Sequence, residues 1–225
     1  MSISPSQLEK ARFNMIEQQI RPAGILDEKV LNALMGLSRD AFVTDKYKSV
    51  AYTDTEIPID VEGTQAHETM LVPRLEARFA EALQLKPTDT VLEIGTGSGF
   101  QAALLSRLCT QVTSIEIDPA IAAFAKSNLE RNHIANVNVE VGDGRNGWGS
   151  VEYNAIVFTG SLPTLPDALK YKLTEGGRLL IVVGTGTVMS LIRITRQSAS
   201  HFVEEFLEET VIKPLNGAVA SRFKF

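Results

Sequence analysis

The run Val91-Leu92-Glu93-Ile94-Gly95-Thr96-Gly97-Ser98-Gly99-Phe100 reads as a buried strand, a glycine-rich turn and the opening of a helix. Glycines at 95, 97 and 99 let the backbone come close to a ligand, because no Cβ intervenes. The helix that follows, Gln101 to Leu108, would aim its N-terminal amides at that ligand. Such a strand–turn–helix is the nucleotide-binding turn of a doubly wound α/β domain. The dinucleotide fingerprint G-x-G-x-x-G/A wants a small residue where this chain has Phe100, so G-x-G-x-G fits a nicotinamide cofactor poorly.

Downstream, apolar strand-like runs alternate with helices. The strands read as Val91–Gly95, Val112–Ile117, Val137–Val141, Ala155–Thr159 and Arg178–Val183; the helices as Gln101–Leu108, Ala120–Arg131 and Pro166–Leu173. That alternation predicts a parallel sheet covered on both faces. After Gly184 the rhythm becomes strand–turn–strand, Met189–Arg196 and Phe202–Val211, an antiparallel edge. Upstream, Ser6–Ile20 and Asp27–Leu37 carry apolar residues at helical spacing, and Arg21-Pro22-Ala23-Gly24 separates them. Residues Asp40 to Glu68 show little periodicity and read as extended loop, and a further helix runs from Met70 to Leu85 with Pro73 in its first turn.

Carboxylates mark the ends of the first three strands. Glu93 precedes the glycines, Glu116 closes the second strand, and Asp143 follows the third in Val141-Gly142-Asp143-Gly144. Ligands of open α/β sheets bind outside the carboxyl ends of the strands. A carboxylate at Glu116 can accept both hydroxyls of a ribose, and Asp143 can accept from an adenine amino group.

Composition narrows the function classes. The chain has 225 residues, 44% apolar, and a net charge of −5, which argues against a general nucleic-acid binder. No apolar stretch reaches the ~18–20 residues that span a bilayer. The first residues lack the basic and apolar blocks of a secretory signal, and Cys109 is the only cysteine. A cytoplasmic protein without membrane partners is expected. The histidines at 67, 133 and 201 are widely spaced and no CxxC occurs, so no metal site is expected.

The acid–GxGxG turn with acids after the second and third strands resembles the class I S-adenosylmethionine-dependent methyltransferases. Within them, Met15-Ile16-Glu17-Gln18-Gln19-Ile20-Arg21, Arg39-Asp40-Ala41-Phe42-Val43, Gly142-Asp143-Gly144 with Gly147-Trp148, and Lys213-Pro214-Leu215 resemble the protein-L-isoaspartate O-methyltransferase family. The likeness covers about Ala11 to Gly217. It implies an α/β fold: a doubly wound, mostly parallel seven-stranded Rossmann-like methyltransferase sheet with an N-terminal helical extension. The expected units are residues 1–69 as extension and substrate lid, 70–217 as the S-adenosyl-L-methionine domain, and 218–225 as a tail.

The resemblance places the cofactor on Glu93, Gly95, Thr96, Gly97, Ser98, Gly99, Glu116, Asp143 and Gly144, and a protein or peptide with isoaspartyl residues as acceptor. Trp148 reads as a packing residue beside the cofactor loop, and a monomer is slightly favoured over an oligomer. The chain departs from the family at one segment. Where the family carries Gly-Gln-Thr-Ile-Ser-Gln-Pro, with a hydroxyl at the reaction site, this chain reads Glu62-Gly63-Thr64-Gln65-Ala66-His67-Glu68-Thr69-Met70. Matching on the following helix puts His67 at the serine; matching on Pro58-Ile59 puts Ala66 there.

His67 is therefore the candidate catalytic residue, as a hydrogen-bond donor to a carboxylate or as a base for another nucleophile. Three functions remain open at this point: an isoaspartyl-type O-methyltransferase, a methyltransferase with a different small-molecule or protein acceptor, and an inactive cofactor-binding homologue.

Overall fold

The computed structural model describes residues 4–64 and 67–218. Ala66, and the expected tail beyond Ala218, lie outside them. The N-terminal extension holds α1 (Pro5–Met15) and α2 (Glu28–Met35). Ser4 starts α1 with a capping box shared with Gln7, and Asp27 caps α2 by accepting from the Lys29 N–H at 2.8 Å. The stretch read as one helix to Ile20 changes character at Ile16: residues Ile16–Ile20 form a π-turn and Arg21–Ala23 a 3-10 turn, closed by Gly24 in the left-handed region. Gly24 accepts that φ because it has no Cβ.

A short antiparallel ribbon follows. β1 (Ile57–Pro58) pairs with β2 (Thr69–Met70), and Pro73 then opens α3 (Pro73–Ala82). The helix expected from Met70 thus begins three residues later, because Thr69 and Met70 are spent on the ribbon and Pro73 supplies a ready first helical position. A unit boundary at 69/70 falls inside β2.

The main sheet has seven strands: β3 (Thr90–Ile94), β4 (Gln111–Glu116), β5 (Val137–Val141), β6 (Tyr153–Phe158), β7 (Leu173–Thr185), β8 (Val188–Arg196) and β9 (Phe202–Glu209). Their order is β5-β4-β3-β6-β7-β8-β9. The first five in that order run parallel, and β8 and β9 each lie antiparallel to the strand before. The chain steps outward from β3 through α4 (Phe100–Ser106) and α5 (Pro119–Arg131), then returns to place β6 on the other side of β3. The crevice at that reversal is where such sheets bind ligands.

Coverage of the two faces is unequal. All five α-helices contribute to one core with Val91, Val112, Val139, Leu180 and Val182. The extension and the sheet share this core without a break. The opposite face, with Leu92, Ile94, Ile115, Ile156 and Ile181, buries beneath Leu169, Leu162 and the flanking Trp148 and Leu215. The helix expected at Pro166–Leu173 is a 3-10 segment, Asp167–Lys172. Only six residues separate Pro166 from β7, too few to sustain an α-helix, and Leu169 alone anchors them in the core.

Candidate cofactor and acceptor site

The glycine turn lies where β3 meets α4. Gly95, Gly97 and Gly99 all have positive φ (96°, 55° and 85°). A side chain on Gly95 would collide with Thr159 Oγ1, and one on Gly97 would press on Ile59 Cδ1 at 3.2 Å. Thr159 at the end of β6 donates to the Gly95 carbonyl at 2.5 Å, tying the two strand ends together.

These tips line one wall of a cleft whose open volume, counting solvent at its mouth, is about 720 Å³. Glu116, Asp143 and Gly144 border the same cleft from β4 and the turn after β5. Five of the expected cofactor residues (Gly95, Gly97, Glu116, Asp143 and Gly144) are thus brought together at one opening.

The other four sit behind it. Glu93, Thr96, Ser98 and Gly99 are buried beneath the turn. Ser114 donates to Glu93 Oε2 and accepts from Thr96 Oγ1 at 2.6 Å, while Ser98 Oγ accepts from the Phe100 N–H. Glu93 Oε1 is buried with no partner among the described residues. Burial pushes its carboxyl up to about 8, partly offset by Ser114 and reinforced by Glu116 and Glu76.

Glu116 is preorganised at the strand end. Its two oxygens accept from the Gly97 N–H at 3.0 Å and the Asp118 N–H at 3.1 Å, which fixes the carboxylate while leaving lone pairs toward the cleft. Burial raises its carboxyl above the usual range. Asp143 lies two residues beyond the end of β5. Arg145 donates to it at 2.7 Å and holds its carboxyl low. The Trp148 indole lies over Gly142, where any side chain would collide with it, and donates to Glu140 Oε2 at 2.7 Å.

A bare-backbone cradle between β3 and β6, a fixed carboxylate on β4 and a glycine-flanked turn after β5 fit the amino-acid arm, ribose and adenine of S-adenosylmethionine in that order. Gly95, Gly97 and Glu116 would hold the first two parts; Asp143 and Gly144 would face the third.

The acceptor segment differs from its sequence reading. His67 is exposed and lines a neighbouring groove with Tyr47 and Asp60, outside the main cleft. Thr69 and Leu71, from the segment leading into α3, both line the cleft. Thr69 Oγ1 donates to Glu56 Oε2 at 3.0 Å.

Sequence reasoning also missed Ile59, Arg145, Thr159 and Lys213 as cleft residues. Thr159 carries a local signal at a strand's carboxyl end, and Lys213 stands in the Lys213-Pro214-Leu215 motif.

Known proteins resemble this chain in both sequence and fold. The model of the family "Protein-L-isoaspartate(D-aspartate) O-methyltransferase" matches residues 10–220. A protein-L-isoaspartate O-methyltransferase of Koribacter versatilis is 38% identical over 93% of this chain and 91% of its own, and one of Marinobacter nauticus is 38% identical over 96% and 98%. A solved protein-L-isoaspartate O-methyltransferase superposes with a TM-score of 0.80 at 28% identity, over 93% of this chain and 66% of that one. A Plasmodium falciparum structure in complex with S-adenosyl-L-homocysteine shares the fold, with a TM-score of 0.74 at 19% identity over 93% and 98% of the two chains. With the G-x-G-x-G turn and the strand-end acids all inside the matched residues, the chain belongs to the protein-L-isoaspartate(D-aspartate) O-methyltransferase family.

Proposed function

We propose that this protein transfers a methyl group from S-adenosylmethionine to the free carboxylate of isoaspartyl residues in proteins. The observation that carries the reading is the cleft at the carboxyl ends of β3, β4 and β6, with fixed Glu116 on one side and Thr69 and Leu71, from the segment leading into α3, on the other. When bound, the cofactor supplies a methyl on a sulfonium, which a carboxylate oxygen takes up as the carbon–sulfur bond breaks, leaving a neutral thioether and an ester.

A carboxylate is ionised at neutral pH and needs no base. The displacement of His67 from the cleft is therefore no obstacle. What the chain must provide is position and exclusion of water. Ile59 packs over Gly97, and Thr64 donates to Asp118 at 2.5 Å, so the loop after β1 lies across the tips of β3 and β4 as a cover. We infer that this cover, with the N-terminal extension, selects the acceptor. Among the described residues no helix is long and apolar enough to cross a membrane. A monomer acting on cytoplasmic proteins is the simplest setting.

The departure of residues 62–70 from the family's serine segment supports a second reading, a methyltransferase with a different small-molecule or protein acceptor. Methyl incorporation into an isoaspartyl peptide, against its aspartyl twin, tests the first. Incorporation confined to the isoaspartyl peptide is expected; none with either peptide, in a protein that binds the cofactor, would overturn it in favour of the second.

A further inference from the structure

Four carboxylates line the cleft, Glu56, Glu68, Glu116 and Asp143, against two cations among the described residues, Arg145 and Lys213. An anionic acceptor entering this space meets repulsion unless a cation receives it. Arg145 is committed: its guanidinium grips Asp143 through Nε at 2.9 Å and Nη2 at 2.7 Å and also donates to the Gly217 carbonyl. It also follows β5, the edge strand beyond β3 and β4 from β6, where the adenine would lie.

Lys213 stands at the other end of the row. It comes from the C-terminal segment bound to Ser161 just after β6. The Ser161 N–H donates to the Lys213 carbonyl at 3.0 Å, the Leu215 N–H donates to the Ser161 carbonyl at 3.0 Å, and Ser161 is fully buried. The lysine backbone is thus fixed to the sheet. Its Nζ donates to Glu68 Oε1 at 2.7 Å and to the His67 carbonyl at 2.8 Å. Glu68 belongs to the covering loop, and the pair is partly exposed, with side-chain exposures of 41% and 22%. Such a pair contributes little to stability and is readily exchanged for another of the same charge.

We propose that Lys213 is the receptor for the acceptor's carboxylate and that Glu68 is its internal placeholder. The reading rests on the function proposed above and names the residue that recognises the substrate's charge. An incoming isoaspartyl carboxylate takes the place of Glu68 on Nζ. The ammonium offsets part of the cleft's negative charge and orients the oxygen. Methylation turns the anion into a neutral ester, which cannot hold an ammonium. Glu68 then reclaims Nζ and the ester is released. The same charge that draws substrate in thus lets product go.

The test is calorimetric binding of an isoaspartyl peptide to the protein loaded with S-adenosylhomocysteine, beside methyl transfer by the same preparations. K213M should weaken the peptide about tenfold or more and leave the affinity for S-adenosylhomocysteine unchanged. K213R should retain most of the peptide affinity. E68Q should tighten the peptide severalfold by removing its competitor. The penalty of K213M should vanish for a peptide whose free carboxyl is an amide, a readout that a merely structural lysine would not move. Peptide binding within twofold of wild type in K213M, while wild type methylates the peptide, overturns this inference alone. A wild type that binds S-adenosylhomocysteine but neither binds nor methylates the peptide overturns the functional reading, and this one with it.

Discussion

Replacing Glu93 by Gln should remove a specific pH dependence from the protein's stability. Glu93 is fully buried, with one oxygen on the Ser114 hydroxyl and the other without a partner among the described residues, and burial lifts its carboxyl to about 8 from an ordinary 4.5. A carboxyl that is protonated in the fold and ionised in the unfolded chain makes folding take up a proton. Its stabilising contribution is therefore fullest below about pH 4.5 and is lost as pH rises toward 8. Each pH unit inside that window costs up to about 1.4 kcal/mol, so between pH 6 and 8 the wild type should lose about 2 kcal/mol relative to the glutamine variant.

Urea unfolding of both proteins across that range measures the difference directly. Groups unchanged between the two, including Glu76 with its own carboxyl raised to about 7 by burial, enter both curves and largely cancel. Stability curves that run parallel within about 0.5 kcal/mol would show that Glu93 is already ionised in the fold, and the account of the acid beneath the turn would be wrong.

Further outcomes follow from the same geometry. Glu116→Ala should raise the dissociation constant for S-adenosylhomocysteine by about one to two powers of ten, the worth of hydrogen bonds to a charged acceptor, as read by calorimetry. Gly95→Ala should cost about 1–3 kcal/mol in denaturant unfolding through its positive φ and its collision with Thr159, and Thr159→Ala should recover the steric part. Arg39 is fully buried, donates to Glu76 at 3.0 Å and to the Ala51 and Leu71 carbonyls at 2.6 Å, and joins the extension to α3. Arg39→Met should destabilise by about 3–5 kcal/mol by stranding a buried acid, and thermal unfolding should show a midpoint roughly 10 °C lower.

The sheet was legible because its strands are short apolar runs punctuated by glycine and its helices are regular. The turn at 95–99 was legible because three glycines at that spacing serve backbone positions other residues adopt poorly. The ribbon of β1 and β2 was not, since two-residue strands carry no period. That ribbon takes Thr69 and Met70, so α3 starts three residues beyond the expected Met70.

Pocket residues divided along similar lines. Glu116 and the Gly142–Gly144 turn are local to strand ends and could be named from sequence. Arg145 and Lys213 owe their places to tertiary contacts, with Gly217 and Ser161 respectively, that no spacing encodes. Glu93 was read as part of the pocket wall; the pleat instead turns it, with Val91, toward the helical face beneath the turn.

The central claim is that one adenosyl ligand settles across the tips of β3, β4 and β5. Calorimetric titration of the purified protein with S-adenosylhomocysteine tests it most directly. The account predicts saturable binding to a single site per chain. Absence of any saturable heat, with the protein folded, would contradict it.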